Sequence, residues 1–284
     1  MKLQMIYSFY VADNACNNEI YELHYNLISQ ICNVFDRIIF VICHNGNMND
    51  DIIYNIKSKL INITGECNNI TFIFEHNNKN FREGIIFKKY IIDKLDQYDD
   101  YLTFFAHSKG VSNQYGIDHI DNLKLWIFLL YYLNFRWLFE VRKKLNTYSK
   151  EYDYMSFGGL YFKDTRHTNK YHWFYSGSFQ WLNTFKINKY IKDNNINITP
   201  FICEEGETLK RCAELFIGNI FDSNYAAFRL DQRYNKQNDN RYHNWGWEIS
   251  YENIDIFLND YVYIDDYNEL FENYEKILIP IYNE

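Results

Sequence analysis

The sequence predicts an α/β fold, a mainly parallel sheet flanked by helices. Two observations carry that prediction. Between residues 1 and 110, short apolar runs alternate with stretches whose apolar residues recur at helical spacing. Those runs also lack polar alternation, as strands do when helices cover both faces of their sheet. Strand–helix–strand repetition with short connections implies right-handed crossovers and parallel neighbours.

The elements follow in order. Gln4–Val11 reads as the first strand. Glu19–Phe35 is helical, with Ile20, Leu23, Leu27, Ile31 and Val34 on one face. Arg37–Cys43 is a continuous β-branched run and the second strand. Asp50–Ile61 is helical, Ile70–Glu75 is the third strand, Gly84–Leu95 is helical, and Tyr101–Ala106 is the fourth strand. The pattern then changes. Asp121–Leu145 reads as one long helix with a core stripe of Trp126, Leu129, Leu130, Leu133 and Trp137. Tyr154–Phe162 is a strand interrupted at Gly158-Gly159. His172–Trp181 is a strand or strand-turn, and Glu207–Phe221 is a helix. Leu230–Asn244 reads as an exposed loop, and the chain closes on the apolar stretch Ile277–Tyr282.

Composition narrows the functional classes. The chain has 284 residues, enough for one large domain. Its net charge of -8 argues against general binding to a phosphate backbone, so nucleic acid is not an expected partner. The aromatic content of 20% fits an AT-rich coding sequence, and it also fits the apolar walls of sugar sites. Six cysteines without a CxxC pair read as reduced, mostly buried thiols. No signal peptide is expected, and the run Leu125–Leu133 is too short to span a membrane. The expected location is the cytoplasm or, for a viral chain, the host cytoplasm or the virion.

Ligands of such sheets bind outside the carboxyl ends of the strands. The four ends read Tyr10–Asn14, His44–Gly46, Glu75–Glu83 and His107–Gly110. His107-Ser108-Lys109-Gly110 is the strongest local signal, because a Lys there can meet a phosphate as a point charge. The alternative is a charged turn after a buried strand. Trp173–Trp181 carries Ser176, Gly177 and Ser178 between aromatic residues, which suits a polar ligand on an apolar wall. A core strand with a bulge at Gly177 is the reading the residues alone favour. Arg211 and Glu214 lie three apart on a helix, as an ion pair or as a carboxylate base held by an Arg. Arg82 and Glu83 open the helix before strand four; Glu83 there compensates the helix dipole, or Arg82 instead contacts a nucleotide or its phosphates. No P-loop, HExxH, GxSxG or GxGxxG is present in the sequence.

Taken in order, these segments resemble a glycosyltransferase-like group. The group includes rhamnan-synthesis-type polysaccharide enzymes and related sugar transferases of bacteria and large DNA viruses. The resemblance rests on Asn80–Gly84 (loosely), Tyr101–Gly110 with its H-S-K, Trp126, Tyr175–Trp181 and the R-x-x-E of Arg211–Glu214. It covers roughly residues 1–221.

What the resemblance implies is a GT-A-like fold, in which a Rossmann-like nucleotide half (about 1–110) joins an acceptor half (about 111–221) without a break. Residues 222–284 would be an extension packing on the same domain. The activity implied is transfer of a sugar from a nucleotide-sugar donor to a glycan or another hydroxyl. Tyr10, His44, Arg82, Glu83, Ser108 and Gly110 would hold the donor nucleotide. Ser176, Gly177, Ser178, Trp173, Trp181 and Arg211 would line the sugar or the acceptor. The sequence departs from the group's metal-dependent members at the Asp-x-Asp position, which here reads His107-Ser108-Lys109. Lys109, with His107, is therefore expected to neutralise the leaving diphosphate without a metal ion or other cofactor. Glu214 is the first choice for general base, with Glu204, Glu205 and Glu207 as rivals. The alternatives are a non-catalytic sugar or nucleotide-sugar binding protein on the same fold, or an interaction protein with an aromatic surface.

Overall fold

The computed structural model describes residues 1–11, 19–44, 50–65, 69–76, 82–98, 100–108, 111, 120–136, 138–146, 154–163, 173–201 and 212–231. The elements of the first part match the hydrophobic pattern closely. They are β1 (Lys2–Val11), α1 (Glu19–Ile31), β2 (Arg37–His44), α2 (Asp50–Thr64), β3 (Ile70–His76), α3 (Arg82–Tyr90) and β4 (Tyr101–His107). α1 and α3 end earlier than the pattern suggests, each followed by a tighter 3-10 stretch, at Cys32–Val34 and Ile92–Gln97.

The expected long aromatic helix is two helices, α4 (Ile120–Phe135) and α5 (Leu138–Asn146). The break has a physical cause. In an unbroken helix the Asn134 carbonyl would accept from the backbone four residues on. Here it accepts from the Trp181 indole N–H at 3.2 Å. The Asn134 side chain meanwhile donates back to the Leu130 carbonyl at 2.7 Å, a competing bond that weakens helical continuity. α4 is buried on all sides from Ile127 to Phe135, whereas α5 buries only Leu138, Val141 and Leu145. The turn lets a core helix become a surface helix.

The remaining elements are β5 (Ser156–Lys163), β6 (Trp173–Tyr175), β7 (Gln180–Asn183), α6 (Thr184–Asp193), α7 (Cys212–Ile220) and β8 (Ala226–Asp231). β5 is continuous through Gly158-Gly159 rather than interrupted there. The two glycines let other groups pack close. A Cβ on Gly158 would lie 2.2 Å from the Tyr175 ring, and one on Gly159 would lie 2.6 Å from Leu133. Leu230 and Asp231, expected in a loop, end β8. Trp137, residues 232–244 and the stretch 277–282 lie outside the described residues.

Among the described residues one mixed sheet holds the eight strands, in the order β3-β2-β1-β4-β7-β5-β6 with β8 paired to β5. β3, β2, β1 and β4 are parallel, and β7 joins β4 antiparallel. The sheet continues past residue 221, because β8 runs parallel along β5. β6 and β7 are two pieces of one interrupted antiparallel run beside β5. Tyr161 pairs with Tyr175 and Gly158 with Gln180, so four residues (176–179) face two (159–160). This is an enlarged bulge, and it lies next to the carboxyl end of β4.

Helices cover both faces. α1, α2, α4 and α5 bury Leu27, Leu60, Ile127 and Val141 with Met5, Phe40, Phe104 and Trp181 on one side. α3, α6 and α7 bury Phe87, Ile187 and Phe216 with Ile6, Val41, Phe105 and Trp173 on the other. Among the described residues no helix is long and apolar enough to cross a membrane.

Candidate functional site

Strand order reverses between β1 and β4. From β1 the chain steps outward to β2 and β3, then returns to place β4 on the other side. Such a switch point opens a crevice at the carboxyl ends of the two strands. Here the residues at those ends are Ser8 and Tyr10 of β1 and His107 and Ser108 at the end of β4.

Backbone and side chains clasp these two ends together. The Ser108 N–H donates to the Ser8 carbonyl at 3.0 Å. The Tyr10 N–H donates to Ser108 Oγ at 2.8 Å, and Tyr21 of α1 donates its hydroxyl to the Tyr10 carbonyl at 2.8 Å. Ser108 is buried and Tyr10 half-buried. Ser108 thus ties the end of β4 to β1; Lys109 and Gly110 lie outside the described residues.

The antiparallel half reaches this point through the bulge. His107 is buried, and its Nε2 lies 3.0 Å from the Gly177 carbonyl. A carbonyl only accepts, so Nε2 carries the proton in this contact. Gly177 has φ +72° and Ser178 φ +61°, two left-handed residues in succession. A Cβ on Gly177 would meet Leu130 at 2.7 Å. Ser178 is fully buried, and its Oγ has no hydrogen-bond partner among the described residues. Strain and an unpartnered polar atom therefore coincide beside His107, a combination that clusters at functional sites. The Ser176 side chain lies outside the described residues.

A buried polar network stands behind His107. Tyr7, His24 and Tyr131 close a triangle, with Tyr7 Oη 2.8 Å from both His24 Nδ1 and Tyr131 Oη, and His24 Nδ1 3.1 Å from Tyr131 Oη. Burial first, then the neighbouring tyrosines, push the Tyr7 phenol well above its ordinary range; burial does the same for Tyr131. Both stay protonated. Tyr131 packs edge-on to Phe179 at 5.1 Å, and Phe179 packs against His107 at 5.9 Å. No sequence pattern singled out this network, because Tyr7, His24 and Tyr131 sit within ordinary strand and helix periodicity.

At the far strand ends, Tyr10, Cys43 and Glu75 share one row of the sheet. Glu75 accepts from Lys89 and Tyr90 of α3. Burial by itself would raise the Glu75 carboxyl, but those two hydrogen bonds and the Lys89 charge outweigh it and hold it below its ordinary range. Burial pushes the Cys43 thiol up to about 12, and the Glu75 and Glu83 charges reinforce this against the Ser8 contact. Cys32 and Cys43 are buried thiols, an environment that leaves cysteine unreactive. Glu83 sits half-buried in the first turn of α3. The Arg82 side chain lies outside the described residues. His44, the last residue of β2, stands between Val11 of β1 and His76 of β3.

Glu214 lies half-buried in the first turn of α7. α7 packs against β6, α3 and the 176–178 turn, so the structure brings the Glu214 helix to the same bulge that meets His107. Arg211 lies outside the described residues. The two tryptophans differ from their expected role at a sugar face. Trp173 is buried, donating to the Phe221 carbonyl at 3.0 Å, and Trp181 is buried against Phe35, Phe104 and Phe135. Both rings are core in this arrangement, with no exposed face for a ligand.

Among the described residues no group of three or more His, Cys, Asp or Glu side chains is placed to hold a metal ion. No protein-family model, curated protein or solved structure matches the chain.

Proposed function

We propose that the protein is a glycosyltransferase that moves a sugar from a nucleotide-sugar donor to an acceptor hydroxyl. The reading rests on one observation: the parallel half and the antiparallel half meet at the switch-point crevice through the His107–Gly177 contact. A transfer site needs a donor cradle and an acceptor wall joined without a break, and this junction supports that reading. In the proposed reaction the bond between the anomeric carbon and the diphosphate oxygen breaks. A bond from that carbon to the acceptor oxygen forms. Lys109 meets the departing anion, His107 holds its turn, and Glu214 takes the acceptor proton.

The test is a thermal-shift panel of UDP-, GDP-, dTDP- and CMP-sugars, each with and without EDTA. A ligand bound only by the native state raises the melting temperature. One nucleotide family is expected to stabilise the protein in EDTA, and His107→Ala to shrink that shift. Glu214→Gln should keep the shift and lower turnover by at least about 100-fold. No shift with any donor overturns the proposal. Turnover abolished by EDTA and restored by Mg²⁺ or Mn²⁺ overturns its metal-free form.

A further inference from the structure

His44 and His76 are the last register pair of β2 and β3. Their ring centroids are 5.8 Å apart and their planes are inclined by 50°. In a sheet, residues paired across neighbouring strands point to the same face. Backbone pairing therefore holds the two imidazoles side by side. His44 is half-buried and His76 is exposed on β3, the strand at one end of the sheet. One side is thus firmly seated while the other faces solvent.

We propose that His44 and His76 form a binding site for a divalent cation of the zinc type. With zinc–nitrogen bonds of about 2.0–2.1 Å and near-tetrahedral angles, two imidazoles on one ion have ring centres roughly 5.2 Å apart. The observed 5.8 Å is slightly wider, and small rotations of the two side chains close the difference with both strands in place. Each ring gives one nitrogen to the ion and keeps the other for an outer partner that fixes its tautomer. Imidazole ligands favour zinc, copper and nickel, whereas magnesium and calcium require oxygen ligands. Cys43 and Glu75 form the adjacent row, and strand alternation turns them to the opposite face. The ion would then have two protein ligands and keep open positions for water or an anionic group. This site stands whether or not the transferase reading holds, because no donor contact enters the argument.

The test is zinc titration of the metal-stripped full chain against a chromophoric chelator, with Cu²⁺ electron paramagnetic resonance as a second readout. One equivalent is expected to bind with a dissociation constant on the order of micromolar, and the copper spectrum to show coupling to two nitrogens. His44→Ala and His76→Ala should each weaken zinc binding by about tenfold or more. His76→Gln, at the exposed position, should do the same with an unchanged circular dichroism spectrum, which separates ligand loss from misfolding. Excess Mg²⁺ should not compete. Zinc binding weaker than about 1 mM, or wild-type affinity in all three variants, overturns the proposal.

Discussion

Ser178 combines two unfavourable features, and they can be separated. Its left-handed backbone costs a non-glycine residue about 1–2 kcal/mol. Its buried, unpartnered hydroxyl costs about 1–3 kcal/mol more. Ser178→Ala removes only the second, and Ser178→Gly removes both. Glycine gives back about 0.5–1 kcal/mol through the entropy of the unfolded chain. Urea denaturation should therefore rank the variants Gly, Ala, wild type from most to least stable, with Gly above Ala by about 0.5–1 kcal/mol. An alanine variant less stable than wild type would show that the hydroxyl has a native partner. Glu75 gives a pH-dependent counterpart. Its folded carboxyl titrates below the ordinary glutamate value of 4.5, so it contributes stability above that value, lost as pH falls through the folded one. Glu75→Gln should flatten the acid limb of a stability–pH curve below about pH 4.5 while leaving the slope near neutrality unchanged. An unaltered acid limb would remove the role assigned to Lys89 and Tyr90.

At the scale of elements, α7 is seated by a single close approach. A Cβ on Gly218 would lie 1.7 Å from the Trp173 backbone carbonyl, a contact no side-chain adjustment relieves. Gly218→Ala must push α7 off β6, and should cost more than about 3 kcal/mol by thermal or urea unfolding. Gly65 is the contrast. It has φ +54° with nothing within 4 Å, so Gly65→Ala adds only backbone strain, about 1 kcal/mol. Similar losses for the two would contradict the packing of α7. The parallel half was legible in the sequence for a plain reason. Runs such as Arg37–His44 are buried on both faces and carry one unambiguous pattern. The later half was less legible because its features are tertiary. The end of α4 depends on Trp181 reaching the Asn134 carbonyl, and the continuity of β5 depends on what lies over its glycines. The site divides the same way. His107 and Ser108 stood out at a strand end, whereas Trp173 and Trp181 read as core or ligand wall, one of them core in either case, and both are core. Tyr131 carried no signal at all.

For the molecule as a whole, the two halves share their cores. One apolar cluster runs from Met5 and Phe40 to Trp181 and Ala227, and the other from Ile6 and Val41 to Trp173 and Ala226. β7 pairs directly with β4, so the parallel and antiparallel parts are also joined by backbone hydrogen bonds. Thr184 donates to the Tyr98 carbonyl at 2.9 Å across the junction, while the buried Asn183 amide donates to the Leu145 carbonyl at 2.9 Å within the later half. Separating the halves would expose both clusters at once and leave the Thr184 hydroxyl without the Tyr98 carbonyl. Neither half can therefore open alone at modest cost. Hydrogen exchange tests this directly, because opening energies differ between regions that unfold separately and coincide within one cooperative unit. Peptides from β1, β4, β5 and β7 should exchange with the same opening free energy in rising denaturant, and that energy should equal the global stability. Earlier exchange of β5 and β7 than of β1 and β4 would instead mark two folding units, and the crevice where His107 meets Gly177 would then be a hinge.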